Sequence, residues 1–260
     1  MIRGVQTAMS AMKAHLARQE VLARNLGNLG TPGYKQESAA VDGFSAALGR
    51  VERGLARTRL EQAISTDVIG SLGVHTAIDR VSVDFRQGRL EETRRPLDVA
   101  LQGDGFLQVA TPDGILFSRG GALYTDAERR LVTAEGYPVL DADGQEIVLG
   151  DGEVSISADG TILTGDVPAA TLSVVEFLPG TRLAKVGLEY YVLDDPNGVP
   201  PTAATGTVVK QGYLEASNVD AVSAMSDLVS LVRAYQASQR MLQAQDELLG
   251  KAVNEVGRVV

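Results

Sequence analysis

Residues 219–256 read VDAVSAMSDLVSLVRAYQASQRMLQAQDELLGKAVNEV. Steps of alternately four and three from Ala221 meet Met225, Leu228, Val232, Tyr235, Gln239, Leu242, Asp246, Leu249, Val253 and Val256, all apolar but Gln239 and Asp246. A period near 3.5 lays these residues along one stripe of an α-helix, the spacing of a coiled-coil seam. Ser217 and Asn218 precede the run and suit the N-cap, where a short polar side chain accepts an orphan backbone N–H. At 1.5 Å per residue the helix from Val219 to Val256 would be about 55 Å long.

A helix with one apolar stripe is marginal by itself in water, so its partner matters. The other end of the chain carries the same pattern. Ile2, Val5, Met9, Met12, Leu16, Ala23 and Leu26 recur at alternate threes and fours, with Gln19 as the one polar member. Gly27 and Gly30 mark a stop, and Pro32 bars any continuation. The economical arrangement packs the first segment against the last. Polar members such as Gln19, Gln239 and Asp246 either set register or lie solvated at the rim.

Between the ends the period changes. Leu97–Leu101, Phe106–Val109, Leu131–Thr133, Tyr137–Leu140, Val154–Ile156, Thr161–Leu163, Leu172–Phe177 and Tyr190–Leu193 are short runs rich in Val, Leu and aromatics. Gly/Asp/Pro clusters such as Pro112-Asp113-Gly114, Asp143-Gly144 and Asp159-Gly160 separate them, which predicts an all-β unit. Val81, Val83 and Phe85 alternate with polar residues, so 74–92 reads as a hairpin or long strand. Ser38–Leu48 fits either a short helix or extended chain, Leu55–Thr76 gives mixed signals, and Ser65–Gly73 reads as loop. The fold class is therefore α+β and multidomain: a discontinuous terminal α-helical coiled-coil domain (1–30 and 218–260), a connecting segment (31–76), and a central all-β domain with linking strands (77–217).

Composition narrows the function. The 260 residues carry a formal net charge of -9, which argues against nucleic acid as a partner, since phosphate binding needs a basic face. The charge is uneven: residues 1–60 hold nine Lys/Arg against four Asp/Glu, while 61–205 carry a net -13. With no cysteine, disulfides, thiol catalysis and thiolate metal sites are excluded. Arg3, Lys13, Arg18, Glu20 and Arg24 interrupt any signal-peptide-like apolar stretch at the start, and no 18-residue apolar run occurs. The ordinary rules then predict a cytoplasmic protein, unless export takes another route.

The inventory for catalysis is thin. His15 and His75 are the two histidines, and neither Gly-x-Ser-x-Gly nor His-Glu-x-x-His occurs. Gly103-Asp104-Gly105 lacks the third glycine and following helix of a phosphate loop and reads as a tight hairpin turn. Asp141-Ala-Asp-Gly144 opens like a calcium loop but has Gly152 where the twelfth-position glutamate belongs. The acidic residues leave a glycosidase-type carboxylate pair open, though nothing singles one out. No catalytic, cofactor-binding or metal residues are assigned, and no cofactor or small-molecule substrate is expected.

Four stretches, in order, carry a family resemblance. They are Asn25-Leu-Gly-Asn-Leu-Gly-Thr-Pro-Gly-Tyr-Lys35; LDVALQGDGFLQV at 97–109; FSRGGALYTD at 117–126 with LVTAEGYPVL at 131–140; and QGYLEASNV at 211–219 with VRAYQ at 232–236. Together they resemble the signatures of the flagellar rod and hook family of axial proteins. Length and the size of the middle resemble the rod subunits, those of the distal rod in particular, more than the longer hook protein. Gly27 stands where Ala is commoner in the family, Ser118-Arg-Gly-Gly replaces Thr-Arg-x-Gly, and 38–75 matches no signature.

The resemblance implies a structural subunit of the bacterial flagellum basal body that assembles into a helical, tubular homopolymer and transmits torque from motor to hook. It implies export across the inner membrane by the flagellum's own type III apparatus, without a cleaved signal peptide. Its partners would be further copies of itself, other rod and hook subunits, ring bushing proteins where present, and the export apparatus. The two helical stripes become assembly seams. Asn25, Asn28, Thr31, Pro32, Gly33 and Tyr34 become a hinge that aims the first helix. Two other readings stay open: a secreted cell-wall- or carbohydrate-binding β protein, and a cytoplasmic coiled-coil adaptor.

Overall fold

The computed structural model describes the backbone of residues 2–42, 77–165, 167–194 and 199–256, and the side chains of the same residues except 2–7, 40–42, 77–80 and 252–256. The loop reading at Ser65–Gly73, the mixed segment Leu55–Thr76 and His75 fall outside the described residues, as does Ser38–Leu48 beyond Asp42.

The chain opens with α1 (Ile2–Gly27) and closes with α2 (Ala221–Val256). Between them run β1 (Glu37–Asp42), β2 (Ala77–Val83), β3 (Leu90–Glu92), β4 (Val99–Gln102), β5 (Phe106–Thr111), β6 (Gly114–Ser118), β7 (Tyr124–Thr125), β8 (Leu131–Val132) and β9 (Val154–Ile156). These are followed by β10 (Thr161–Thr164), β11 (Val167–Thr171), β12 (Val174–Glu176), β13 (Leu183–Val186), β14 (Tyr190–Leu193), β15 (Thr202–Ala203), β16 (Val208–Gln211) and β17 (Tyr213–Glu215). Terminal helices around a mostly β centre make the fold α+β. Among the described residues no helix is long and apolar enough to cross a membrane.

The chain divides into two compact units. One holds α1, β1, β2 and α2; the other holds residues 27–36 and 83–220. In the second, an antiparallel six-stranded sheet runs β13-β14-β6-β5-β12-β15, and a three-stranded sheet runs β11-β10-β9. Strand β5 organises this unit because it is buried on both faces. Leu107 joins an aliphatic cluster with Val99, Leu123, Leu131, Ile147 and Ile162. Its neighbour Phe106 points the opposite way, as strand alternation requires, into a second cluster with Phe117, Val175 and Tyr191. Phe85, Phe106, Phe117, Phe177 and Tyr191 meet there edge-to-face, with centroids 4.9 to 5.8 Å apart. Four of the chain's five phenylalanines meet in this one cluster.

Three local expectations are corrected. The hairpin reading of 74–92 fails: β2 pairs with β1, and β3 pairs with β17, each with a partner far away in sequence. Gly103–Gly105 is not a hairpin turn either, because β4 pairs with β16 while β5 pairs with β6 and β12. It carries the chain between sheets at close quarters. The Gly105 N–H donates to Thr207 Oγ1 at 2.9 Å, and a Cβ on Gly105 would lie 2.6 Å from Val174 Cγ1. Third, α2 begins at Ala221 rather than Val219. Ser217 Oγ accepts the Val219 N–H, and Asn218 is engaged elsewhere, as described next.

Candidate assembly faces and the junction motif

The side chains predicted for the first seam lie mostly at the surface. Met9 is 48% exposed, Leu16 44%, and Ala23 is exposed; Met12, Gln19 and Leu26 are half-buried. Ile2 and Val5 lie on α1, with side chains outside the described set. The buried positions of α1 are Ala8, Ala14, Val21 and Asn25. At 100° per residue, that face is displaced from the predicted stripe by nearly half a turn, about 165°. So α1 has two apolar faces, one covered and built of small residues, the other open.

Helix α2 behaves in the same way. Leu228, Tyr235, Leu242 and Leu249 are half-buried. They alternate inward with Ala224, Leu231, Ser238 and Gln245, and not with Met225, Val232, Gln239 and Asp246. Met225 is 52% exposed, Gln239 and Asp246 are exposed, and Val232 is half-buried. The side chains of Val253 and Val256 are outside the described set. Both candidate stripes keep a 3.5 period and share every second member, so periodicity alone cannot choose between them. The open stripe starts with Val222, 78% exposed, and continues through Met225 and Val229, at spacings that share a helical face.

The junction motif is pinned along its length. Asn25 is fully buried. Its Nδ2 donates to the Glu37 carbonyl at 2.7 Å, and its Oδ1 accepts the Glu37 N–H at 2.9 Å. The amide thus gives the first residue of β1 both bonds that a strand partner would give. Arg24 Nη2 reaches Glu37 Oε2 at 2.8 Å beside them. Asn28 and Thr31 close a turn, with the Thr31 N–H on the Asn28 carbonyl and the two side chains 3.2 Å apart. Half-buried Pro32 follows. Gly33 adopts φ +72° and donates its N–H to the Glu215 carbonyl at 2.7 Å. A Cβ there would sit 2.5 Å from the Arg119 backbone, so only glycine fits. Tyr34 is buried, with Lys185 Nζ 3.5 Å from its ring centroid.

Sequence reasoning missed the centre of this arrangement. Lys35, Arg119 and Glu215 meet with side chains only 1% exposed. Lys35 Nζ donates to Glu215 Oε1 at 2.7 Å and to the Arg86 carbonyl at 2.9 Å. The Gly88 N–H donates to the same Oε1 at 2.7 Å, and Arg119 Nη1 lies 3.4 Å from Oε2. Burial pulls the Lys35 ammonium below the usual lysine range, against the opposing pull of Glu215. Burial lowers Arg119 in the same way, while its guanidinium stacks 4.8 Å from the Phe106 centroid. Asn218 completes the node. Its Oδ1 accepts the Gln36 N–H at 2.7 Å, and its Nδ2 donates to the carbonyls of Asp84 (2.8 Å) and Arg86 (3.0 Å). Three chain passages separated by up to 182 positions are thereby tied at one point. Lys35, Arg119, Glu215 and Asn218 each fall inside a quoted stretch, but no local pattern announces their meeting.

The side chains of Asn25, Lys35, Glu215 and Asn218 thus spend their hydrogen bonds on other parts of the chain. The comparisons with known proteins identify the family. Residues 5–35 match the family described as "Flagella basal body rod protein", residues 100–164 the "Flagellar hook protein FlgE/F/G D1 domain", and residues 210–255 the "Flagellar basal body rod FlgEFG protein C-terminal". The chain is 34% identical over 265 residues to the flagellar basal-body rod protein FlgG of Agrobacterium fabrum, covering 95% of this chain and 97% of that one. It is 34% identical over 270 residues to FlgF of Escherichia coli, a flagellar basal-body rod protein, with 97% of each chain covered. It is 30% identical over 276 residues to the flagellar hook-basal body complex protein FlhO of Bacillus subtilis, over the full length of both. Likeness of this degree along nearly the whole sequence places the chain in the flagellar basal-body rod protein family.

Proposed function

We propose that this chain is a structural, non-catalytic subunit of the flagellar rod, which assembles with copies of itself into a helical tube that carries torque from motor to hook. The observation that carries the reading is the pair of open apolar stripes, Met9–Leu16 on α1 and Val222–Val229 on α2, in a member of the rod protein family. Exposed apolar residues of this kind on both terminal helices are read as a binding surface awaiting a partner. A second copy fits it, since heterologous contacts between identical subunits extend into filaments when the rotation does not close.

Within this reading the helical domain is discontinuous, 1–30 with 218–260, and forms a coiled-coil layer of the tube. Residues 77–217 form the outer β domain, joined through 31–76. The motif Asn25–Tyr34 acts as a pinned joint and not as a loose hinge. Its place is the basal body, most like that of a distal rod subunit, reached through the flagellar export apparatus. Other rod and hook subunits are its neighbours along the axis, with bushing proteins around it where rings exist.

Electron microscopy and sedimentation of the purified chain at rising concentration test the proposal. Tubular or fibrous assemblies are expected. A chain that stays monomeric at every concentration and pellets with peptidoglycan would instead support the wall-binding alternative.

A further inference from the structure

Every methionine of this chain lies at one of the two helices. Met1 precedes α1, Met9 and Met12 lie on it, and Met225 and Met241 lie on α2; residues 13–224 contain none. The chain also lacks cysteine and tryptophan. The side chains that peroxides oxidise most readily are therefore confined to the helical unit, and the β unit offers no such target. Three of the thioethers face water: Met9 is 48% exposed, Met225 52% and Met241 58%, whereas Met12 is half-buried. Met9 and Met225 also sit within the two open apolar stripes.

From this placement we infer that Met9, Met225 and Met241 are oxidation sites of the unassembled subunit, and that converting them to sulfoxides blocks assembly. The oxidant is a hydroperoxide, hydrogen peroxide being the simplest. The thioether sulfur attacks one oxygen of hydrogen peroxide with its lone pair, the O–O bond breaks, and the departing hydroxide takes the proton of the transferred hydroxyl and leaves as water. Sulfur is oxidised and peroxide oxygen reduced, and each site gains one oxygen atom. At Met9 and Met225 the product side chain is polar where the seam requires an apolar surface, so it keeps its hydration and resists burial against a neighbour. A methionine inside a completed seam is shielded from peroxide. The chemistry therefore discriminates between free and assembled subunits, and a thiol-dependent sulfoxide reductase reverses it. The assembly half of this inference rests on the structural-subunit reading; the oxidation half does not.

Hydrogen peroxide treatment of the soluble full chain, with peptide mass mapping over time, tests the first half. Oxygen addition is expected at Met9, Met225 and Met241 ahead of Met12; equal or faster oxidation of Met12 overturns the assignment. Sedimentation of treated and untreated chain tests the second half. The oxidised chain is expected to need at least about tenfold more protein to assemble, the ratio that corresponds to 1.4 kcal/mol. The combined variant Met9→Leu, Met225→Leu, Met241→Leu should assemble like the parent and keep doing so after peroxide. If the oxidised parent sediments like the untreated chain, the inference fails while the structural reading stands. If the untreated parent never sediments, the structural reading fails and the assembly half falls with it.

Discussion

Glu215 is where single residues matter most. Its carboxylate takes Lys35, Arg119 and the Gly88 N–H at once, shielded from water. A buried ion pair contributes little against a well-packed apolar replacement, but removing one partner strands the other charge. Glu215→Gln leaves two buried cations facing each other and should cost about 3–5 kcal/mol, read as a fall in the urea midpoint at unchanged slope. Adding Lys35→Met should recover part of that loss; a Glu215→Gln chain as stable as the parent would show that the triad is incidental. Glu189 makes a second, titratable case. Burial pushes its carboxyl up to about 7, Glu135 adds to the shift, and Lys185 opposes it. Because the folded value is raised, the proton binds the folded state more tightly. Glu189 therefore supports the fold fully below the ordinary carboxylate range, and that support is lost as pH rises through about 7. A plot of melting temperature against pH should slope downward across that window in the parent, and more weakly in Glu189→Gln.

At the scale of elements, the register of α2 is the informative case. Ala224 is 3% exposed and Met225 52%, one residue apart on the same helix. Ala224→Glu should unfold the helical unit or weaken it by a few kcal/mol, the cost of an uncompensated buried carboxylate. Met225→Glu should leave circular dichroism unchanged and abolish sedimenting assemblies. If the two variants behaved alike, the assignment of inner and outer faces would be wrong. The contrast also shows what the residue pattern could convey. Both helices were legible from their 3.5 period, and β9 and β14 were read within their observed bounds. The choice of inward stripe was not legible, because apolar residues occupy both candidates. Strands β11 and β13 went unread: Val167-Pro-Ala-Ala-Thr171 is largely exposed and has no alternation, and Leu183–Val186 is only partly buried. The pairing of β1 with β2 had no local signal, since its partners are separated by more than thirty positions. The junction motif was legible as a stop and a turn from its glycines and Pro32. Its meeting with Glu215 and Asn218 was not, because no short-range period encodes a contact between residues 180 positions apart.

For the whole molecule, the division into a helical and a β-rich unit predicts separable behaviour. Deleting residues 242–260 should abolish assembly and leave the β unit folded, because its two clusters draw on residues 83 to 209 alone. Near-ultraviolet circular dichroism of the tyrosines and sedimentation would read the two outcomes separately; a truncated chain that still forms rods would remove the helical seam from the mechanism. Amide exchange in the monomer should be fast in 1–30 and 220–260 and slow along β5. The tie between Lys35 and Glu215 also has a consequence in time. A ribosome adding 5–20 residues per second delivers Lys35 roughly 10–40 s before Glu215 is made. During that interval the lysine has no counter-ion and its ammonium stays hydrated, so the node cannot act as a nucleus. It closes as a latch once nearly all of the chain has been synthesised, and the nascent polypeptide remains open, without its final lock, for most of its elongation.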